Sequence, residues 1–205
     1  MAAPGKKSLW FMAAPFALVL LTTLTLTSLN GLSADVHTAT RLAGLLGYQL
    51  IFLAALSSAF TRPLIRAFGR PFVTMHHLVA ISGLVIIIVH PLLASIAWGD
   101  RSILWPRFAT WRSFVQWGGS PALSLLVIAV LGAVLRKRLR SLWPVVHALT
   151  FVAFVLATAH AATAPFTTDL QAAWARAIAW LLAGAAVAVL VLRRTLLKPT
   201  RRPAR

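Results

Sequence analysis

Apolar residues gather along the chain into six blocks, each separated from the next by a short polar, charged or turn-forming stretch. The blocks fall at roughly 9–30, 43–60, 72–98, 118–135, 143–163 and 175–193. About 20 apolar residues in a helix cross the hydrocarbon core of a bilayer. The pattern therefore predicts an all-α membrane protein, a bundle of six transmembrane helices. Its connections are too short for a soluble domain. The second block is the weakest, diluted by Gly44, Gly47, Tyr48 and Gln49. The first follows Lys6 and Lys7, as a signal peptide would. Its apolar stretch exceeds the usual ~7–15 residues of a signal sequence, so we read it as a retained span; cleavage after Ala34 is the alternative. The expected organisation is a cytoplasmic N-terminus over 1–8, the six-helix domain over 9–193 and a basic cytoplasmic tail over 194–205.

Composition agrees. The chain is 60% hydrophobic with mean hydropathy +0.84, and 11% of its residues are charged, against about 25% in soluble domains. This excludes an ordinary soluble enzyme and a disordered chain. The net charge of +17 comes from 20 Lys and Arg against 3 Asp and Glu. Nucleic-acid binding would need those cations on a folded polar face. Here they stand at the ends of apolar blocks, so membrane lipid is the expected partner and nucleic acid is not. With no cysteine, disulfides, thiolate metal sites, iron–sulfur clusters and cysteine nucleophiles are excluded.

The cations set an orientation, because basic residues collect on the cytoplasmic side. With the N-terminus inside, the inner segments hold Lys6 and Lys7; Arg62, Arg66 and Arg70; Arg136, Lys137, Arg138 and Arg140; and Arg193, Arg194, Lys198, Arg201, Arg202 and Arg205. The outer segments hold Arg41, Arg101, Arg107, Arg112 and Arg176, together with all three acids, Asp35, Asp100 and Asp169. Both termini are therefore expected in the cytoplasm, in a bacterial inner membrane. Trp10, Trp98, Trp143 and Trp174 fall near block ends, where amphipathic rings prefer the interface. Trp105, Trp111 and Trp117 lie with Phe108 and Phe114 in one outer loop. That loop reads as interfacial, with a partner-docking face as the alternative.

Five of the six histidines fall inside the blocks, where ionisable groups are costly and functional. His37 reads as a solvated loop residue. His76 and His77 open the third block and His90 lies near its far end; His147 opens the fifth and His160 lies near its far end. His76 and His90 are 14 residues apart, ~21 Å along a helix, and His147 and His160 are 13 apart, ~19.5 Å. Blocks three and five run in the same direction. Side by side they pair His76 with His147 at the inner level and His90 with His160 at the outer level, an arrangement suited to two bis-histidine b haems. At ~100° per residue, His76 and His90 share a face, whereas His147 and His160 end ~140° apart. A π-bulge or a tilted helix would be needed to align them. His77 is an alternate ligand. Zinc fits less well, because one helix's ligands are too far apart for a single ion and no carboxylate or thiol completes either pair. Gly83 and Ala80 suit close approach to a macrocycle. Phe154 is a candidate to fill the space between two haems, or a simple core residue. Arg70 or Arg140 inside, and Arg101 or Arg112 outside, could meet propionates. No residue is required to act as a catalytic acid, base or nucleophile.

At this point the chain resembles the ferric reductase-like transmembrane domain family. His76-His77-Leu-Val-Ala-Ile-Ser-Gly83 running to His90-Pro-Leu-Leu is similar to its third span, and Trp143-Pro-Val-Val-His147 running to His160-Ala to its fifth. The resemblance covers roughly 40–165 and implies a haem b protein carrying electrons from the cytoplasmic to the outer side. Reductases and oxidases of the family continue into a cytoplasmic FAD and NAD(P)H domain. This chain is closer in size to the haem-binding membrane subunit of the bacterial periplasmic methionine-sulfoxide reductase system. That subunit has a basic residue where His76 stands; here the full four-histidine set is present. The resemblance thus implies a haem-binding oxidoreductase subunit, fed by a separate flavoprotein (FMN or FAD) or by a quinol and passing electrons to a periplasmic acceptor protein. A quinol-oxidising cytochrome b subunit of a larger complex is one alternative. A non-redox transporter or assembly protein is another, disfavoured by the absence of intramembrane carboxylates and of a repeat.

Overall fold

The computed structural model describes residues 6–60, 64–66, 71–163, 170 and 172–196, and those residues are helical with short connections and no strand. The helices are α1 (Lys6–Leu29), α2 (Val36–Ala59), α3 (Pro71–Ala97), α4 (Trp111–Gln116), α5 (Gly119–Val134), α6 (Arg136–Leu139), α7 (Trp143–His147), α8 (Leu149–Thr163) and α9 (Ala173–Leu196), with a 3-10 turn at Arg101–Leu104. Arg62, Arg70, Asp169 and the tail from 197 onward lie outside the described residues, as do the side chains of Lys6, Lys7, Trp10, Arg193 and Arg194.

Four stretches are long and apolar enough to cross a membrane: Val36–Ser58, Val73–Ala97, Trp143–Thr163 and Ala173–Leu192. Shorter apolar helices, Ala14–Leu29 and Gly119–Val134, occupy the first and fourth expected blocks. Leu21, Ile81, Ile96, Leu181 and Val134 are all more than half exposed, an apolar outer surface suited to lipid rather than water.

The second block begins seven residues earlier than hydropathy suggests. Asp35 is the N-cap of α2, its carboxylate accepting from the Thr38 N–H at 2.7 Å, as a helix start requires. His37 and Arg41 therefore lie in α2 and not in a loop. The His37 ring meets Trp98 edge-on at 5.2 Å. Arg41 donates to the carbonyls of Thr27 (2.8 Å) and Gly31 (3.0 Å) at the end of α1, where unsatisfied helix carbonyls favour a cation. Gln49 bonds Thr22 and Thr23 of α1, the latter at 2.8 Å. Polar pairs of this kind join helices in lipid, so α1 is docked as part of the bundle.

The weakest hydropathic block is the central helix. α2 packs against α1, α3, α8 and α9, and its Leu50, Ile51 and Ala54 enter the buried core. It approaches α3 closely because Gly47 and Gly83 lack side chains: a Cβ at 83 would stand 3.0 Å from that of Leu50. Gly83 thus serves α2–α3 packing, not an open face. The two histidine-bearing helices are backed by different neighbours, α3 by α2 and α8 by α5, and α3 and α8 scarcely meet.

Candidate functional site

Each of the four histidines that the spacing pairs is tied through its Nδ1 to a neighbouring helix. His90 Nδ1 lies 2.9 Å from the Thr40 carbonyl of α2. His160 Nδ1 lies 2.6 Å from the Gln116 carbonyl at the end of α4. His147 Nδ1 lies 3.2 Å from the Ala129 carbonyl of α5. A carbonyl only accepts, so each of these rings carries its proton on Nδ1 and leaves the Nε2 lone pair free. His76 Nδ1 lies 3.2 Å from the Ser57 hydroxyl, which itself donates to the Ala54 carbonyl at 2.9 Å. Ser57 is thereby left to accept, and His76 takes the same tautomer. Metal-bound histidines characteristically donate their second ring N–H to a carbonyl or similar acceptor, which fixes tautomer and orientation.

The antiparallel pairing of helices explains the two levels. Thr40 near the start of α2 faces His90 near the end of α3, and Ser57 near the end of α2 faces His76 near the start of α3. Across the bundle, Gln116 and Ala129 do the same for His160 and His147. His77 is exposed, with its ring centroid 5.8 Å from that of His76, and among the described residues its ring has no hydrogen-bond acceptor.

The fifth block is not one continuous helix, and no π-bulge aligns its histidines. It breaks at Ala148, whose N–H lies 3.1 Å from the carbonyls of both Pro144 and Val145, and the Phe151 N–H bonds Ala148 three residues back. This is 3-10-type tightening. Each residue so wound turns ~120° instead of ~100°, so the tightening reduces the ~140° by which His147 and His160 diverge on an ideal helix. A π-bulge would turn the other way. Pro144 sits in the first turn of α7, where its missing N–H costs nothing. The Thr150 hydroxyl takes up the His147 carbonyl at 2.8 Å.

Phe154 is fully buried, but it packs as core. It stacks on Tyr48 at 4.6 Å and Phe52 at 5.3 Å of α2 and rests against Ala183 and Ala186 of α9. Of the propionate candidates, Arg70 lies outside the described residues, and Arg101, Arg112 and Arg140 are exposed. Arg107 pairs with Asp100 at 3.1 Å and lies 4.1 Å over the Trp117 ring, bracing the outer loop. That loop leaves Trp105, Phe108 and Trp111 about three-quarters exposed. Sequence reasoning missed the acceptors: three are main-chain carbonyls, which every residue carries, and the fourth is the Ser57 hydroxyl. It gave no role at the histidines to the glycines that follow those carbonyls: Gly44, Gly119 and Gly132 stand three or four positions after Thr40, Gln116 and Ala129.

Among the described residues no three His, Cys, Asp or Glu side chains gather into a metal-ion site. The site is instead four separate imidazoles, each anchored at Nδ1. Fold and site together define a helical membrane protein whose apolar helices carry four histidines anchored through Nδ1. The chain belongs to the ferric reductase-like transmembrane family, whose model, described as the ferric reductase like transmembrane component, matches residues 41–158. His76, His90 and His147 fall within the match and His160 lies two residues beyond it. Comparison with curated proteins and with solved structures gives no match.

Proposed function

We propose that this protein carries electrons across the membrane through two b haems. Membership of the ferric reductase-like family makes membrane electron transfer the general expectation. The finer reading assigns His76 and His147 to an inner haem and His90 and His160 to an outer one, within a six-span bundle whose termini are cytoplasmic. A cytoplasmic flavoprotein or a membrane quinol supplies the electrons, and an acceptor on the outer side receives them.

The observation that carries the reading is the shared tautomer. All four rings have Nδ1 engaged, which leaves Nε2 available, and their spacing along the helices supports pairing at two depths. Haem bound there supplies one-electron redox chemistry. The chain's own part is to hold the imidazoles and tune them. The Nδ1–H bonds make each ring a better donor at Nε2 and stop it from rotating. The apolar helices around them limit access of water, and this, together with the imidazoles that would hold the group, would tune its potential. None of these steps asks a side chain to exchange a proton with substrate.

The decisive test is the dithionite-reduced minus oxidised spectrum of the purified protein in detergent, with a haem count. Two low-spin b haems per chain are expected. A protein with no low-spin b-type signal would end this reading.

A further inference from the structure

We propose that Gly44 and Gly119 are positioning residues that set the ring orientation of the outer histidines, His90 and His160. The inference rests on the two-haem reading above and goes beyond it, to residues that are not ligands.

A Cβ built on Gly44 would stand 2.9 Å from both Nδ1 and Cε1 of His90, well inside van der Waals contact. The Thr40 carbonyl that accepts from His90 lies one helical turn earlier. The ring therefore reaches that carbonyl across surface that Gly44 leaves bare. Gly119 repeats the device on a different helix. Its Cβ would stand 3.2 Å from Nε2 and 3.3 Å from Cδ2 of His160, while Nδ1 of the same ring holds the Gln116 carbonyl one turn earlier. In both places a carbonyl anchors Nδ1 of the imidazole and a bare glycine leaves the ring its space. The inner level lacks the device. A Cβ on Gly132 would meet Val146 at 2.5 Å, not the His147 ring, and Ser57 anchors His76 by its side chain.

An added methyl group at 44 or 119 forces the ring to turn or the anchoring bond to lengthen. Either change alters the plane and basicity of the axial ligand. The test compares Gly44→Ala and Gly119→Ala with Gly184→Ala, where a Cβ would meet nothing within 4 Å. Low-temperature EPR and a redox titration of the haem-loaded proteins are expected to show the outer haem shifted, or lost, in the first two variants. The inner haem should be unchanged in both, and both haems unchanged in Gly184→Ala. In haem-free protein with labelled histidines, NMR should show faster exchange of the His90 Nδ1 proton in Gly44→Ala and of the His160 proton in Gly119→Ala. Wild-type signals and exchange in both variants would overturn the proposal, as would equal disturbance of both haems. A wild-type protein without low-spin haem would instead overturn the two-haem reading, and the exchange measurement would still test the hold of the glycines on the rings.

Discussion

The two ends of the bundle, outer and inner by the charge pattern of the sequence, hold their histidines by different means. At the outer end both rings donate to main-chain carbonyls, at 2.9 and 2.6 Å, and both lie against glycines. At the inner end His76 is held by a serine hydroxyl and His147 by a carbonyl, each at 3.2 Å, and a further imidazole, His77, stands beside His76. Main-chain acceptors move only when a helix moves, so the outer couple is coupled to the packing of α2 and α4. The inner couple depends partly on a side chain that one substitution can remove. Both ends present Nε2 in the same way, but one is fixed by the fold and the other is open to adjustment.

The largest effect that could break this comparison comes from the ligands. His90→Ala or His160→Ala is expected to lower the haem count from two to one and to remove the outer signal. His76→Ala should do the same to the inner signal, whereas His77→Ala should retain both haems, because among these neighbours His76 alone has an anchored Nδ1. The measurement is haem per chain with the reduced spectrum. Loss of the inner haem in His77→Ala, with retention in His76→Ala, would mean that the inner end is not organised by Ser57.

Next comes Phe154, which lies between the levels in sequence and belongs to neither couple. Removing a buried aromatic ring leaves a cavity that costs about 3–5 kcal/mol. Phe154→Ala should therefore lower the thermal unfolding midpoint substantially while both haem signals fall together. A selective loss at one level would show that the Tyr48–Phe154–Phe52 stack supports that couple alone.

What the sequence made legible follows from what a residue type can and cannot say. The blocks and the histidine spacing were readable because lipid demands apolar runs and because 13 or 14 residues convert directly into depth. The start of α2 was misplaced because hydropathy weighs burial in lipid, while the helix begins where Asp35 can cap it. α2 read as the weakest span because it is the innermost: Gly47 admits α3, Tyr48 bonds Thr158 at 2.8 Å, and Gln49 bonds α1. The features that diluted its hydropathy are its interhelical contacts. The break at Ala148 has no signal of its own beyond Pro144, and backbone acceptors have none at all. Gly44 was visible, but only the position of His90 gives it a role.

A smaller effect sharpens the inner end. Ser57→Ala removes a hydrogen bond worth about 0.5–1.5 kcal/mol, and it frees the Ala54 carbonyl, to which the Ser57 hydroxyl donates at 2.9 Å, to accept instead. A modest shift of the inner haem's potential is expected, with its occupancy retained and the outer haem untouched. Complete loss of the inner haem would make the hydroxyl as decisive as the outer carbonyls and erase the contrast.

The smallest effect tests whether the outer end truly depends on the helix that supplies Thr40. Asp35 caps that helix five residues before Thr40, and the Ser33 hydroxyl and the Thr38 N–H hold its carboxyl below the ordinary value of 3.8. A depressed carboxylate contributes its stabilisation in full above the unfolded-chain value and loses it as pH falls through the folded one. Acidification below about pH 4 should therefore loosen the first turn of α2 and disturb the outer haem before the inner. Asp35→Asn keeps an oxygen that can accept from Thr38 but has nothing to titrate, so the outer signal of that variant should lose this part of its acid sensitivity. The comparison is an absorbance titration of wild type against Asp35→Asn, followed at each haem separately. If the inner haem responds first, or if the two proteins titrate alike, the outer couple does not draw its position from the N-terminus of α2.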